Sequence, residues 1–518
     1  MSFWNNKFGD DFMDRSYLIE NYKDMNLYDD IDKNLDVLKA LLKQSSDIIF
    51  REFRIGEKKV KAFLICVDGL VDKALINNNI IEPITLETRK LDGNALTKKS
   101  VYESLLNYFI TTADIKEEEK IGDIIDSLLD GDTPLIVDGV RKSIIISTRG
   151  WEQRSISEST TEAVVRGPKE AFVETLRVNT SMLRRRIKNP NFIIESLKVG
   201  KYTKTNVAIA YIKDVAKDEV VEEVKNRLNK IDIDGIVDSG YLEEMIEDNP
   251  FSPFPQIEHS ERPDKIAAEL LEGRVAIISD GSPEVLVVPT IFVQFFQSAE
   301  DYYERYYIST LFRILRLAAM LMSLTLPSIY VAAVTYHQEM IPSPLAISIA
   351  AQREGVPFTT LMEAFLMEFF FEILREAGIR LPMQVGQAVS IVGALVIGQA
   401  AVQAGLVSAA TVIVVALTGI ASFSIPAFNI AITFRLLRFA MLVVGGTLGF
   451  FGIIMALMMI LAHLASLESF GVPYLSPLAP SNTRELNDVF IRIPWWAKIF
   501  RPHKVAGQNV KRQNYSRS

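Results

Sequence analysis

From Leu317 to Leu467 the chain runs through long apolar stretches broken only by small clusters of ionisable residues, whereas up to about Ser298 it is rich in Lys, Glu and Asp. Two solvents are being addressed within one polypeptide. The average hides this, because 23% charged residues would describe an ordinary soluble protein. Leu317 to Thr335 supplies about nineteen residues without a charge, enough to cross a hydrocarbon core of about 30 Å at 1.5 Å per residue. The expected fold class is therefore an α/β cytosolic region of two small subdomains followed by an α-helical multi-pass membrane domain.

Further spans are expected at Val385 to Ala404, Val407 to Ile432 and Leu437 to Leu464, each rich in Gly and Ala, which let helices approach closely in lipid. Phe358 to Arg375 is ambiguous, since Glu363, Glu368 and Glu372 interrupt an otherwise apolar run. Acids in a membrane are costly and face protein or water. They either line an ion path or pair with Arg375, Arg380, Arg435 or Arg438, or else the segment is an interfacial amphipathic helix, a reading of equal weight. Arg305, Arg313 and Arg316 precede the first span, and the tail from Arg484 onward is basic with Trp495-Trp496 placed as an interfacial anchor. Both flanks favour the cytosol and an even number of crossings.

The first thirty residues show no basic region followed by an apolar run, so no cleavable signal is expected and the N-terminal half stays cytosolic. The lone Cys66 sits in an apolar run and reads as a buried, inert thiol. A net charge of -8 with no basic stripe argues against nucleic acid as a partner. Asn34 is expected to cap a helix with Leu35, Leu38 and Leu42 on one face. Ile48 to Ile55 and Val60 to Val67 read as one hairpin, and Leu135 to Val137 with Ser143 to Ser147, across Asp138-Gly139, as a second. Farther on, Val207 to Ile212 is strand-like and Val220 to Leu228 helical, and Val275 to Ser279 turns through Asp280-Gly281 into Val285 to Val288.

No phosphate-cradling loop, H-E-x-x-H, C-x-x-C or G-x-S-x-G is present, and His259, His337, His463 and His503 are scattered. Neither an enzyme nor a cofactor is expected. Arg184 to Arg186 reads most simply as a solvated or lipid-facing basic patch.

The stretch Thr161-Glu162-Ala163-Val164-Val165-Arg166-Gly167-Pro168-Lys169-Glu170-Ala171-Phe172, then Arg184-Arg185-Arg186-Ile187, and later Ser252 to Lys265 (SPFPQIEHSERPDK), resemble the linkers of GerA-type spore germinant receptor A subunits. The match runs from about Ser46 to about Pro480, and Ala171 stands where Gly would be expected. The resemblance implies two cytosolic subdomains ahead of a membrane domain, a place in the spore inner membrane, a transporter-like B subunit and a lipoprotein C subunit as partners, and assembly into a homo-oligomer, a pentamer, forming a nutrient-gated channel for monovalent cations. The alternatives are a secondary transporter with a cytosolic regulatory domain, or the paralogue that amplifies germination without sensing nutrient. The resulting division is 1–33 extension, 34–151 first subdomain, 152–200 linker with a helical basic segment, 201–298 second subdomain, 299–480 membrane domain of four to six embedded segments, and 481–518 basic tail.

Within that domain, Val385 to Ala404 is the expected pore helix. Gln387, Ser390, Ile391, Ala394 and Gly398 fall near one stripe at spacings of three and four, with Ile391 the bulky constriction and Gln399 and Gln403 a neighbouring pair. Amide side chains leave several hydrogen-bonding groups unsatisfied in lipid, so they should face protein or water. Small and amide residues also serve simply to knit helices together.

Overall fold

The computed structural model describes residues 18–19, 21–56, 59–86, 98–112, 114–150, 162, 164–380 and 398–513. The N-terminal half contains two five-stranded sheets. The first is built from β1 (Ile48–Ile55), β2 (Val60–Val67), β3 (Ile115–Glu118), β4 (Thr133–Val137) and β5 (Ser143–Ile146), ordered β1-β2-β4-β5-β3 with every neighbour antiparallel. The expected β1–β2 hairpin is present, from Ile48 opposite Val67 to Ile55 opposite Val60. Gly56 at φ 66 makes the turn possible, a backbone region that side chains resist.

Alternation along β2 divides the first core in two. Phe63, Ile65 and Val67 pack against α1 (Ile31–Leu42) and α2 (Ile121–Leu129), while Ala62, Leu64 and Cys66 face the opposite layer with Ile80, Val101 and Leu105. Burial pushes the Cys66 thiol up to about 11, so the thiol stays protonated and inert. The cap of α1 differs from expectation. Asp30 accepts from the Asp32 N–H, and Asn34 instead exchanges two 2.8 Å hydrogen bonds with the Tyr28 backbone.

The second sheet comprises β6 (Phe192–Val199), β7 (Thr205–Ile212), β8 (Glu258–Ser260), β9 (Val275–Ser279) and β10 (Val285–Val288), ordered β6-β7-β9-β10-β8. Counted from its own first strand, each sheet reads 1-2-4-5-3, so one topology is used twice. This sheet is sandwiched between α4 (Asp218–Lys230) with α5 (Ser239–Ile246) on one face and α3 (Leu176–Arg186) with α6 (Pro263–Leu270) on the other. A three-layer unit results.

The helical region begins with α7 (Tyr306–Thr335), which continues through Pro327. It proceeds through α8 (Ser343–Arg353), α9 (Thr360–Arg380), a helical segment at 398–403, α10 (Ala409–Phe423) and α11 (Phe428–Ser466), and α12 (Thr483–Phe490) follows. Among the described residues α7 and α11 are long and apolar enough to cross a membrane. The expected single span Val407 to Ile432 is instead divided between α10 and α11. Pro426 has no N–H to continue the ladder.

The expected span Leu437 to Leu464 is also different, for α11 reverses at Gly449 (φ 63, ψ -150). A Cβ on Gly452 would meet the Val444 carbonyl at 2.9 Å, eight positions back, where a straight helix would separate the two by about 12 Å. The two ends meet one loop of the second unit: Thr433 donates to the Pro253 carbonyl, and the His463 ring lies 2.9 Å from the Ser252 hydroxyl. Thus α11 is a hairpin of two antiparallel arms, 428–448 and 450–466. The reversal is held from α7, where the Tyr336 hydroxyl donates to the carbonyls of Gly446 and Thr447 and His337 accepts from the Phe450 N–H.

Candidate functional site

Three of the four acids of α9, Glu363, Glu368 and Glu372, are drawn into protein. Glu363 is fully buried: one oxygen lies 3.2 Å from Arg353, and the other accepts from the Ser408 N–H at 2.9 Å and the Thr411 hydroxyl at 3.1 Å. It therefore occupies the N-terminus of α10, where unpaired amides favour an anion. Glu368 and Glu372, farther along α9, meet the first arm of α11: Arg438 lies 3.1 Å from Glu368 and 2.8 Å from Glu372, and Arg435 lies 3.3 Å from Glu372. Arg375 reaches Glu372 at 3.5 Å and donates to the Ser422 hydroxyl at the end of α10 at 2.9 Å. Of the readings open in the sequence, pairing with Arg375, Arg435 and Arg438 is the one these contacts realise, while Arg380 pairs with Glu376.

The pore stripe is only partly visible, since Gln387, Ser390, Ile391 and Ala394 lie outside the described residues. Gly398 is buried, with Val412 at 3.5 Å from where its Cβ would stand. Gln399 and Gln403 are exposed on the single chain. Among the described residues no hydrogen bond or ion pair joins these acids to the visible part of the stripe.

A second centre lies at the neck, where the second sheet joins α7. Asp301, almost fully buried, accepts from Arg316 twice at 2.8 Å and from Arg313 at 3.1 Å. Asp488 of α12 accepts from Tyr302 at 3.2 Å and pairs with Lys498 at 2.8 Å, and Lys498 continues to Glu272 at 3.0 Å. Burial opposes the charge on Glu272, but Lys498 and then Arg512 outweigh it and hold the carboxyl down at about 2. Lys498, Arg501 and Arg512 serve the second unit, Arg501 donating to the Leu271 carbonyl, and Trp495 packs against Tyr302 at 5.5 Å between ring centres. The Gly507 N–H donates to Val215, tying the tail to the turn after β7.

The two motif stretches converge on the same neck. Arg262 is buried and donates to the carbonyls of Pro168 and Glu162, at 2.9 and 3.1 Å. Tyr303 donates to Asp264 at 2.5 Å, and Gly167 (φ 136) lies against its ring, where a Cβ would come within 2.7 Å. Thr161 and Ala163 lie outside the described residues. The solvated reading of the basic run fails at Arg184, which is wholly buried between the two sheets. It binds both oxygens of Asp47, at 2.9 and 3.0 Å, the Ser45 hydroxyl at 2.8 Å and the Phe192 carbonyl at 2.8 Å. The apolar residues flanking that run, Met182, Leu183 and Ile187, are all buried and carried the available signal.

Comparison with known proteins places this arrangement. The model of the Bacillus/Clostridium GerA spore germination protein family matches residues 36–504. The chain is 49% identical to spore germination protein KA of Bacillus subtilis (strain 168) over 93% of its length and 88% of that protein's. It is 43% identical to the uncharacterized membrane protein YfkQ of the same organism, covering 93% of each, and 40% identical to spore germination protein GerLA of Bacillus cereus, covering 89% of this chain and 93% of the relative. Among solved structures, the N-terminal domain of the A subunit of the Bacillus megaterium spore germinant receptor GerK3 aligns with TM-score 0.41 and 35% identity, over 52% of this chain and 99% of that one.

Proposed function

Since the chain belongs to the Bacillus/Clostridium GerA family of spore germination proteins, we propose that it is the membrane subunit of a spore germinant receptor, oligomerising into a nutrient-gated channel that releases monovalent cations. In this reading it resides in the spore inner membrane with the α/β half in the cytosol. It works with a transporter-like and a lipoprotein subunit, and a ring of copies, a pentamer, shares the conduction path.

The observation that carries the reading is how the helical region is attached. α7 leaves the neck beside Asp301, and α11 returns to Ser252 and Pro253 of the same unit, so the chain enters and leaves the helices at one end. An even number of crossings follows if these helices span the bilayer. Buried salt links hold the first helix to the α/β body and hydrogen bonds from Thr433 and His463 hold the last, so a ligand-driven shift of that body is felt by both.

Within the pore, Gly398 packs closely on α10 while Gln399 and Gln403 remain uncovered on the single chain, in keeping with a surface completed by other copies or by water. Gly398→Leu is expected to abolish nutrient-triggered potassium release in spores while the protein still accumulates and assembles. Normal release from such spores would remove the 385–404 segment as the constriction.

A further inference from the structure

The charges of the helical region do not balance. Between Glu376 and Glu468 the sequence has no acidic residue, yet it carries Arg380, Arg435 and Arg438. Among the described residues Glu363 is taken by Arg353 and Glu376 by Arg380. Glu368 and Glu372 are left to face three guanidiniums, those of Arg375, Arg435 and Arg438. One positive charge is left over. Arg375 and Arg438 are respectively 8% and 1% exposed along their side chains, and the Nε of each is buried with no hydrogen-bond acceptor. An uncompensated buried charge is strongly unfavourable, so the arrangement calls for an anion.

The place and walls of the cluster say which anion. Arg375 lies over the rings of Phe371 and Phe423, at 5.0 and 4.8 Å, and Arg435 over Phe428 at 5.6 Å. Phe423 and Phe428 are 69% and 55% exposed and stand at the end of α10 and the start of α11. That is the end of the helices tied to the α/β half through Pro253. A leftover guanidinium charge beside bare aromatic rings matches an oxygen-rich anion carrying its own apolar chains. Basic pockets between helices on the cytosolic side of a membrane take lipid headgroups by this chemistry.

We propose that the cleft between the C-terminal ends of α9 and α10 and the first arm of α11 binds the phosphate of an anionic phospholipid of the inner leaflet through Arg375 and Arg435, with Phe423 and Phe428 against its acyl chains. The inference rests on the reading of these helices as membrane-embedded. The bound headgroup neutralises the cluster and fixes the spacing of α9 against the hairpin.

The test uses the full-length chain purified in detergent, with lipid retention read by native mass spectrometry against phosphatidylglycerol and phosphatidylcholine. Preferential retention of phosphatidylglycerol is expected, weakened about fivefold by Arg435→Gln, the contribution of one arginine near a lipid surface. Arg380→Gln, whose partner lies outside the cluster, should retain lipid as the unmodified chain does. Equal retention of the two lipids by the unmodified chain would overturn the proposal without any variant, as would Arg435→Gln retaining phosphatidylglycerol undiminished. Displacement of the lipid by millimolar inorganic phosphate would reassign the site to a free anion and overturn the lipid half of the claim. Alkaline carbonate extraction separates the premises: a chain released from membranes fails the membrane reading, whereas one that stays and ignores headgroup charge fails only this inference.

Discussion

Each half of the molecule buries an arginine, and the two are treated differently. Arg184, between the sheets, has carboxylate, hydroxyl and carbonyl partners on every side. Arg438, between helices, touches Glu368 and Glu372 but leaves its own Nε and both oxygens of Glu368 without a hydrogen bond. A saturated pair has one geometry and acts as a lock, because any movement breaks several short bonds together. An unsaturated cluster can exchange partners at small cost, which suits the gating motion proposed for these helices. The α/β half is therefore expected to respond as a rigid body and the helical half as the adjustable one.

The largest effect should come from the lock. Asp47→Ala strands the Arg184 charge in a site with no solvent and is expected to cost about 3–5 kcal/mol, measured as a loss of thermal stability of the full chain. Within the helical half the greatest sensitivity should lie at the reversal rather than in the charges. Gly449→Ala puts a side chain on a backbone reserved for glycine and crowds His337, at a cost of about 1–3 kcal/mol, read in the same unfolding experiment.

Glu368→Gln should cost less, about 1–2 kcal/mol, because the carboxylate gives up no hydrogen bond and Arg438 keeps Glu372. A loss equal to that of Asp47→Ala would erase the distinction between the two arginines. The smallest effect is one of pH. Burial, and then the charge of Glu243, raises the Glu247 carboxyl from 4.5 to about 7. The folded state therefore holds a proton that the unfolded state releases, so the stabilisation is full below pH 4.5 and is lost as pH rises through 7. Glu247→Gln should flatten the stability profile across that window, as pH-dependent melting would reveal.

What the sequence discloses follows from which physical signals are local. The hairpins of β1 with β2, β4 with β5 and β9 with β10 were legible because alternation and turn residues act within a few positions. β6, Phe192–Val199, was missed although its first three residues are buried apolar ones, because Glu195, Ser196 and Lys198 dilute the pattern. Arg184 was misjudged for a related reason: its compensating acid lies 137 positions away, and nothing local announces it. The doubling of one sheet order is a long-range property of the same kind. In the helical half the interruption at Pro426 carried a readable breaker, while the reversal at Gly449 sits among Gly445, Gly446 and Gly452 in uniformly apolar surroundings. A segment apolar on nearly every face has no amphipathic periodicity, so the pattern offers no clue to where it turns. The pairing of α9 acids with arginines was legible as a possibility, and only the packing of α9 against α11 selected the partners.

The single-residue reversal at Gly449 has a practical consequence for anyone mapping the path of this chain. Two arms that meet without a connecting loop offer a protease no extended substrate there, an antibody no flexible epitope, and an inserted tag no neutral place to sit. Accessibility mapping would pass over the turn in silence and report one segment where the chain folds into two, so the arms are better counted by a distance measured between their far ends, such as a crosslink between positions 433 and 463.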